Sequence, residues 1–328
     1  MLNVAVLGSG NISDLFIQAV SHVNGIEVTA VYNRNLTKAL EYAQSHHIKM
    51  AFSDYDEILR QDDIDLIYIG LPNSLHFEYA KKAIESSKMV IIEKPLLSNM
   101  TEFNQLYELS IQKDTKFFEM SRVLQLPNYK IIQAHIADIG PIRMLTINFS
   151  QYSRRYKDYL DGKDPHVFST EYSGGALMDL GVYGIHFTLG LFGSPKECIY
   201  VAQLLPNGID IGGTLILKYD GFQANLVQSK NSKCDNRISI QGELGTLYGY
   251  PTASNLDRVV IDIKEKIDLS VTNKYESMVY TLSDIVHIIE TDDILSYVAR
   301  LNHSKAVLEV LDKARKSAGI IFTGDIPK

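Results

Sequence analysis

The sequence predicts two domains of different class: a doubly wound α/β domain with a parallel sheet over residues 1–120, and an α+β domain with a mostly antiparallel sheet over residues 121–328. Three observations predict this. Short apolar runs alternate with helical patterns as far as about residue 120, as in parallel sheets whose strands are linked by helices. A glycine-rich turn follows the first of these runs. Later, from residue 196 to 270, strand-like runs are separated by turn residues, which is typical of consecutive hairpins.

Composition restricts the class of protein. Of 328 residues, 45% are hydrophobic and 22% are charged, which is ordinary for a folded chain and too apolar for a disordered one. The net charge of −7 argues against nucleic acid binding, and no apolar stretch approaches the roughly 18 residues of a membrane span. A strand-like run begins at Leu2, so no signal peptide is expected. Cys198 and Cys234 have no metal-ligand spacing, which predicts reduced thiols in a cytoplasmic protein and no metal site.

The first domain is predicted to alternate strands and helices. The run Met89–Ile92 shows no polar alternation, as expected of a strand covered on both faces. Asn99 and Glu102 form a possible capping box, and Asn73 or Ser74 is suited to cap the preceding helix. The predicted strands are residues 2–7, 26–32, 64–69, 89–92 and 115–119, and the predicted helices are residues 12–23, 36–45, one that ends near residue 86 and one that follows Asn99.

The second domain is predicted to combine helices with hairpins. Asp220-Gly221 between two apolar runs is a strong hairpin signal. The segment 151–173 is polar and aromatic without a period, and it is predicted to be a long irregular loop that sets specificity. The predicted helices are residues 127–139, 174–192, 275–290 and 293–316, and a long strand is predicted at residues 142–150.

The glycine-rich turn joins the first strand to the first helix. Gly8 permits a tight turn, Gly10 lets a pyrophosphate approach the backbone, and Ser13 is small enough to keep helix and strand close. The N–H groups and positive dipole end of the helix favour an anion. This position predicts a dinucleotide site that includes Gly8, Gly10, Asn11 and Ile12. The alternative is a tight turn without a ligand.

The end of the second strand distinguishes NAD from NADP. An acidic residue there would bind the 2′-hydroxyl of NAD, but this chain has Asn33 and Arg34. Arg34 is suited to pair with the 2′-phosphate of NADP, and Asn33 to add a hydrogen bond. NADP is therefore favoured over NAD, with a solvated surface arginine as the alternative.

The motif Glu93-Lys94-Pro95 follows a buried-looking strand. Its place is the carboxyl end of a central parallel strand, where doubly wound folds bind ligands. The ammonium of Lys94 is suited to hold a substrate oxygen, and Pro95 is a candidate cis proline. A plain surface lysine at a strand end is the alternative.

A second candidate motif lies in residues 173–183. In a helix, Asp179 and Tyr183 would lie on one face. Tyrosine exchanges protons poorly unless a neighbouring cation favours its ionised form, and a lysine is expected to supply that cation. His186 is the fallback proton donor. Packing without chemistry is the alternative for Tyr183.

Together these motifs resemble the Gfo/Idh/MocA oxidoreductases, the family of glucose-fructose oxidoreductase and inositol dehydrogenase. The resemblance spans residues 2 to about 192. It implies a Rossmann domain followed by a domain built on a large open sheet, with NAD or NADP as cofactor and a homodimer as the assembly. The matching positions are the turn 8–13, Pro72-Asn73 with His76, Glu93-Lys94-Pro95, and Gly174-Gly175 through Asp179, Gly181 and Tyr183.

The resemblance also assigns roles. It implies that Lys94 lies beside the nicotinamide and the substrate, and that Glu93 faces the nicotinamide. Many members have a histidine where this chain has Tyr183. That difference favours the branch of glucose-fructose oxidoreductase, dimeric dihydrodiol dehydrogenase and NADP-dependent xylose dehydrogenase, and it puts inositol dehydrogenase-type activity in doubt. The implied cofactor contacts are Leu71, Pro72, Asn73, His76, Glu93 and Lys94.

The combined prediction is an NADP-dependent oxidoreductase that interconverts an alcohol and a carbonyl on a sugar, polyol or cyclic diol. Lys94 would position the reacting oxygen, Tyr183 would exchange the proton, and Asp179 would orient Lys94 or a substrate hydroxyl. The alternatives are an NADP(H)-sensing regulator without turnover and an NAD-assisted glycosidase. The candidate substrate contacts are Tyr152, Arg154, Arg155, Tyr156, Phe168, His186 and Arg122, for which a pair with Glu119 is the alternative.

Overall fold

The computed structural model describes residues 1–325, and the chain divides into two compact units. The first comprises Met1–Met120 and Met278–Asn302, and the second comprises Ser121–Ser277 and the residues from His303 onward. The segment 278–302 therefore belongs with the first unit, which the division into 1–120 and 121–328 did not anticipate. The sequence predicted helices over this segment, but a helical period does not show which unit a helix packs against.

The first unit contains a parallel sheet of six strands in the order β3-β2-β1-β4-β5-β6. This confirms the predicted doubly wound sheet, whose strand order reverses between β1 and β4 and opens a crevice at the carboxyl ends. The strands are β1 (Leu2–Leu7), β2 (Ile26–Tyr32), β3 (Met50–Phe52), β4 (Leu66–Ile69), β5 (Met89–Glu93) and β6 (Phe117–Met120). Its helices in chain order are α1 (Asn11–Val20), α2 (Leu36–His46), α3 (Tyr55–Leu59), α4 (His76–Glu85) and α5 (Met100–Gln112).

Some of the short elements and helix caps of this unit were predicted correctly, and others were not. β3 and α3 were missed because segments this short carry no readable period. The capping box at α5 is confirmed: Asn99 accepts from the N–H of Glu102 at 2.9 Å. The prediction that Asn73 or Ser74 caps α4 is wrong, because a 3-10 turn at Asn73–Leu75 comes first and the helix begins at His76.

The second unit contains an eight-stranded sheet in the order β14-β13-β12-β11-β7-β10-β9-β8. All neighbours are antiparallel except β7 and β10, so the predicted sheet type is confirmed. The predicted hairpin is present: Tyr219 pairs with Phe222, and Gly221 has φ +81°. The strands are β7 (Ile142–Ser150), β8 (Glu197–Leu204), β9 (Asp210–Tyr219), β10 (Phe222–Ser229), β11 (Arg237–Gly242), β12 (Thr246–Thr252), β13 (Asn255–Asp262) and β14 (Lys266–Asp268).

The helices of the rest of the chain are α6 (Pro127–His135), α7 (Arg154–Leu160), α8 (Val182–Phe192), α9 (Ser277–Thr291) and α10 (Ile294–Ser317). Two predictions need correction. The segment 151–173 is not wholly irregular, since it holds α7, which has no buried face and so no apolar period. The predicted helix 174–192 is not one regular α-helix: a π turn occupies Leu177–Gly181, and α8 begins directly after it.

Candidate functional site

The glycine turn of the first unit has the geometry that a dinucleotide site needs. Gly8 has φ +109°, and a Cβ there would lie 2.8 Å from the carbonyl oxygen of Gly70. At Gly10, by contrast, a Cβ would meet nothing within 4 Å, so open space lies beside the first turn of α1. The first N–H groups of a helix have no partner within the helix and point toward such a space. This turn therefore leaves room for a phosphate group.

Ser13 packs α1 closely against the sheet. It is fully buried, and its Oγ would lie 3.0 Å from a Cβ at Gly70. A larger side chain in place of Ser13 would push the helix away from the ends of β1 and β4. The structure thus supports the expectation that a small residue can replace the third glycine of the turn.

Of the two polar residues after β2, Asn33 makes hydrogen bonds within the protein and Arg34 is exposed. Asn33 donates from Nδ2 to Ser9 Oγ at 2.7 Å, and its Oδ1 accepts from the N–H of Asn35 at 2.9 Å. One end of its amide therefore fixes the glycine turn, and the other fixes the residues that lead into α2. Arg34, in contrast, is exposed at the carboxyl end of the strand. A guanidinium in that position is suited to a phosphate.

The motif after β5 holds Lys94 in a defined place. Glu93 is 4% exposed; its Oε1 accepts from the hydroxyl of Tyr68 at 2.8 Å and its Oε2 from the N–H of Lys94 at 3.2 Å. The Lys94-Pro95 peptide bond is cis, as considered from the sequence. Both carboxylate oxygens of Glu93 thus accept hydrogen bonds from the protein, and one of them fixes the backbone of the half-buried Lys94. That Glu93 faces the nicotinamide stays a prediction.

His76, which was predicted to contact the cofactor, is buried between two backbone segments. Its ring is fully buried, with Nε2 2.9 Å from the carbonyl oxygen of Leu71 and Nδ1 3.1 Å from that of Pro95. Burial lowers the pKa of this imidazole. The neutral imidazole has one N–H and so donates to one of these carbonyl oxygens, while its buried ring lies between the segment after β4 and the segment after β5. Its contact with the cofactor stays a prediction.

In the second unit, Gly175 lets a buried carboxylate hold the start of the candidate motif. Asp210 accepts from the N–H of Leu177 at 2.7 Å and from the hydroxyl of Tyr200 at 2.6 Å. A Cβ at Gly175, where φ is +104°, would lie 2.0 Å from Asp210 Oδ1. Only glycine at position 175 therefore allows this approach of chain and carboxylate. At Gly174 a Cβ would lie 2.6 Å from the carbonyl oxygen of His166, so this glycine instead allows the chain to pack against the segment before it.

Burial of Asp210 has a measurable consequence. It raises the pKa of this carboxyl from 3.8 to about 6. Because the folded chain then binds this proton more tightly than the unfolded chain does, we expect the contribution of Asp210 to the free energy of unfolding to fall as the pH rises from 3.8 to about 6. Urea denaturation of Asp210→Asn should lack this falling contribution over that range, and the exposed Asp220→Asn should keep the original slope. An unchanged slope in Asp210→Asn would contradict the assignment.

Asp179 lies in the π turn and forms an ion pair with Lys230. From the sequence, Asp179 was predicted to orient Lys94 or a substrate hydroxyl, and its partner Lys230 was not predicted. The pattern of residues along β10 does indicate Lys230. Ala224, Leu226 and Gln228 occupy the buried face of β10, and a period of two places Lys230 on that same face. A lysine at a core-facing position is seldom buried without a partner or a function.

Tyr183, at the start of α8, is 4% exposed, and its hydroxyl accepts from Arg122 Nη2 at 2.7 Å. Nη1 of the same guanidinium lies 3.4 Å from Glu276. A guanidinium therefore lies beside the phenol oxygen. From the sequence, a lysine was predicted beside Tyr183 and Arg122 was predicted to contact the substrate. The spacing of residues along the chain cannot show that Arg122 and Tyr183, 61 positions apart, are in contact.

Two predicted substrate contacts are buried within the second unit. Phe168 is fully buried against the ring of Tyr156, with centroids 5.9 Å apart. His186 is fully buried as well, with Nδ1 3.0 Å from Nε2 of His303. Both predictions need correction, since neither side chain has a surface to offer a ligand. Tyr152, which is 44% exposed, keeps an accessible ring.

Over residues 1–325, no group of three or more histidine, cysteine, aspartate or glutamate side chains is arranged to hold a metal ion. In the same part of the chain, no helix is both long and apolar enough to cross a membrane.

Comparison with known proteins identifies relatives along the whole chain. Residues 2–120 match the sequence model of an oxidoreductase family with an NAD-binding Rossmann fold, GFO_IDH_MocA, and residues 132–248 match a C-terminal domain of the same family. The chain is 33% identical over 327 residues to scyllo-inositol 2-dehydrogenase (NADP(+)) IolU of Bacillus subtilis, covering 99% of each chain.

More distant similarity extends to a second named enzyme and to a solved structure. Trans-1,2-dihydrobenzene-1,2-diol dehydrogenase of Xenopus tropicalis is 26% identical over 331 residues, covering 97% of this chain and 98% of that protein. The crystal structure of KijD10, a 3-ketoreductase from Actinomadura kijaniata in complex with NADP, aligns with a TM-score of 0.82 at 20% identity, covering 99% of both chains. This last likeness establishes the fold.

Proposed function

We propose, for a chain that belongs to the Gfo/Idh/MocA family of oxidoreductases, that its reaction is the NADP-dependent interconversion of an alcohol and a carbonyl on a small polyhydroxylated ring. The observation that carries the proposal is the hydroxyl of Tyr183 in contact with the Arg122 guanidinium. A phenol whose oxygen receives a charged hydrogen bond is equipped to exchange a proton. Packing alone would not require that contact.

NADP is the cofactor that the first unit fits. Open space beside Gly10 admits a phosphate, and the end of β2 offers Arg34 where an NAD site has a carboxylate. The relative with 33% identity is named as an NADP(+) enzyme, which supports the same choice. When bound, the nicotinamide supplies the hydride acceptor or donor, and the protein supplies placement and proton exchange.

The protein's own groups divide the remaining work. Lys94 positions and polarises the reacting substrate oxygen. Tyr183 exchanges the proton of that oxygen, and Arg122 stabilises the negative charge left on the phenol oxygen when the proton departs. Asp179 orients a substrate hydroxyl; its pairing with Lys230 favours this alternative over an orienting contact with Lys94.

Charge balance supports an uncharged substrate. The two cations beside the motif residues are each paired with a carboxylate, Arg122 with Glu276 and Lys230 with Asp179. Each pair sums to zero, so these groups offer no net attraction to a phosphate or an acid, while they present many donors and acceptors to hydroxyl groups.

A cyclic polyol or cyclic diol is the substrate class we favour. The expectation that Tyr183 disfavours inositol dehydrogenase-type activity loses its support, because a relative covering 99% of the chain is named a scyllo-inositol 2-dehydrogenase. A second relative is named for a cyclic diol. The resemblance also implies a homodimer, which light scattering of the purified protein would test.

The first experiment is a fluorescence titration with NADPH and NADH. We expect Arg34→Ala to weaken NADPH binding by about tenfold to a hundredfold, the range of a hydrogen bond to a charged group, and to leave NADH binding unchanged. Arg60→Ala, another exposed arginine of the first unit, serves as the control. Equal loss for both nucleotides, or no loss for NADPH, would contradict the role of Arg34.

Turnover separates the proposal from its rivals. When scyllo-inositol is added, a dehydrogenase forms NADPH from NADP⁺ in an amount equal to that of the carbonyl product. A sensing regulator would bind NADPH and produce no change. An NAD-assisted glycosidase would cleave a glycoside with no net change in cofactor.

A further inference from the structure

We propose that Lys230 is a positioning residue, which holds Asp179 as an ionised acceptor for the substrate hydroxyl next to the reacting carbon. The proposal rests on the proposed function and specifies its substrate class further: a ring with vicinal hydroxyl groups.

The backbone of Lys230 is fixed on two sides. Its N–H donates to the carbonyl oxygen of Ile211 at 2.8 Å, and its own carbonyl oxygen accepts from the N–H of Ser153 at 2.8 Å. The residue directly follows β10 and continues that strand's buried face. Its Cα is therefore placed by the sheet and by the segment after β7, and the side chain has little freedom of direction.

The two side chains of the pair differ in exposure. The side chain of Lys230 is 6% exposed, whereas that of Asp179 is 35% exposed. An ammonium enclosed to this degree requires an ionised partner, because an unpaired buried charge is costly. The pair thus presents mainly its carboxylate to solvent, while the ammonium stays behind it.

Asp179 is held from a second direction through the backbone of its turn. It lies in the π turn Leu177–Gly181, and the first N–H of that turn is bound by Asp210. Turns of this kind are frequent at functional sites. Two anchors, one on the backbone and one on the side chain, therefore fix where the carboxylate points.

A carboxylate held ionised can only accept hydrogen bonds. It binds a hydroxyl group that donates to it, and it makes no such hydrogen bond to a ring carbon without a hydroxyl group. A site built around such an acceptor discriminates against an analogue that lacks the donor. Lys230 therefore contributes to substrate choice without touching the substrate.

The test compares trans-1,2-cyclohexanediol with cyclohexanol as substrates for NADP⁺ reduction. The unmodified protein should prefer the diol by about tenfold to a hundredfold in kcat/KM, the worth of a hydrogen bond to a charged group. Lys230→Met should lose most of that preference, chiefly through a higher KM for the diol, and Lys230→Arg should restore much of it. Lys233→Met, an exposed lysine three residues along, should keep the full preference.

Asp179→Asn provides a second variant, since it keeps the shape of the acceptor but adds a donor and removes the charge; it should lose the preference too. If Lys230→Met lowers kcat/KM for both alcohols by one factor, or leaves the diol preference intact, the inference is overturned and Lys230 serves only to stabilise the fold. NADPH binding, followed by fluorescence, is the separate readout. If the unmodified protein binds NADPH and oxidises scyllo-inositol but shows no preference for the diol over cyclohexanol, the inference alone is overturned. If it binds NADPH yet oxidises none of the three alcohols, the proposed function has failed, and the inference fails with it.

Discussion

Replacing Tyr183 with phenylalanine should lower kcat by about 10²–10⁴-fold, the usual contribution of a positioned general acid or base, with no change in NADPH affinity. The substitution removes one oxygen from a side chain that is 4% exposed and keeps its ring. The proton of the substrate oxygen then has no acceptor, and the Arg122 guanidinium loses the hydroxyl that it contacts at 2.7 Å.

The comparison variant is Tyr107→Phe, an exposed tyrosine on α5, which should retain full activity. Steady-state kinetics with NADP⁺ and scyllo-inositol would measure both. Retained kcat in Tyr183→Phe would show that another group exchanges the proton. The fallback predicted from the sequence, His186, is fully buried beside His303, so it is poorly placed to take over.

Lys94→Met should reduce kcat by about 10²–10³-fold, the typical effect of removing one preorganised electrostatic contact to the reacting oxygen. The replacement keeps the length of the side chain and removes its charge. Because Glu93 is fixed by Tyr68 and by the N–H of Lys94, which the substitution preserves, the segment after β5 should keep its structure. NADPH binding should therefore survive while turnover is lost.

Lys81→Met, on the exposed side of α4, is the matched control for the loss of a lysine charge from the first unit. A Lys94→Met protein with full kcat would remove Lys94 from the mechanism. Loss of NADPH binding along with turnover would instead make Lys94 a cofactor contact and leave its action on the substrate oxygen unsupported.

Much of the fold could be predicted from the sequence. The parallel and antiparallel sheets, the hairpin at Asp220-Gly221 and the glycine turn were all predicted correctly, because each depends on local periodicity or on residues with distinctive backbone geometry. The errors arose where local signals were weak. β3 and α3 are short, and the π turn reads as ordinary helix.

The sequence by itself determined the fold class and singled out Lys94, Asp179 and Tyr183 as the side chains to which we assign the chemistry. Motif spacing along one strand or helix is enough to find such candidates. Only the tertiary structure decided their partners: Lys230 for Asp179 and Arg122 for Tyr183, with His76 and Glu93 serving to fix neighbouring backbone. Contacts between residues 51 or 61 positions apart depend on how strands and helices pack, and no local pattern encodes that packing.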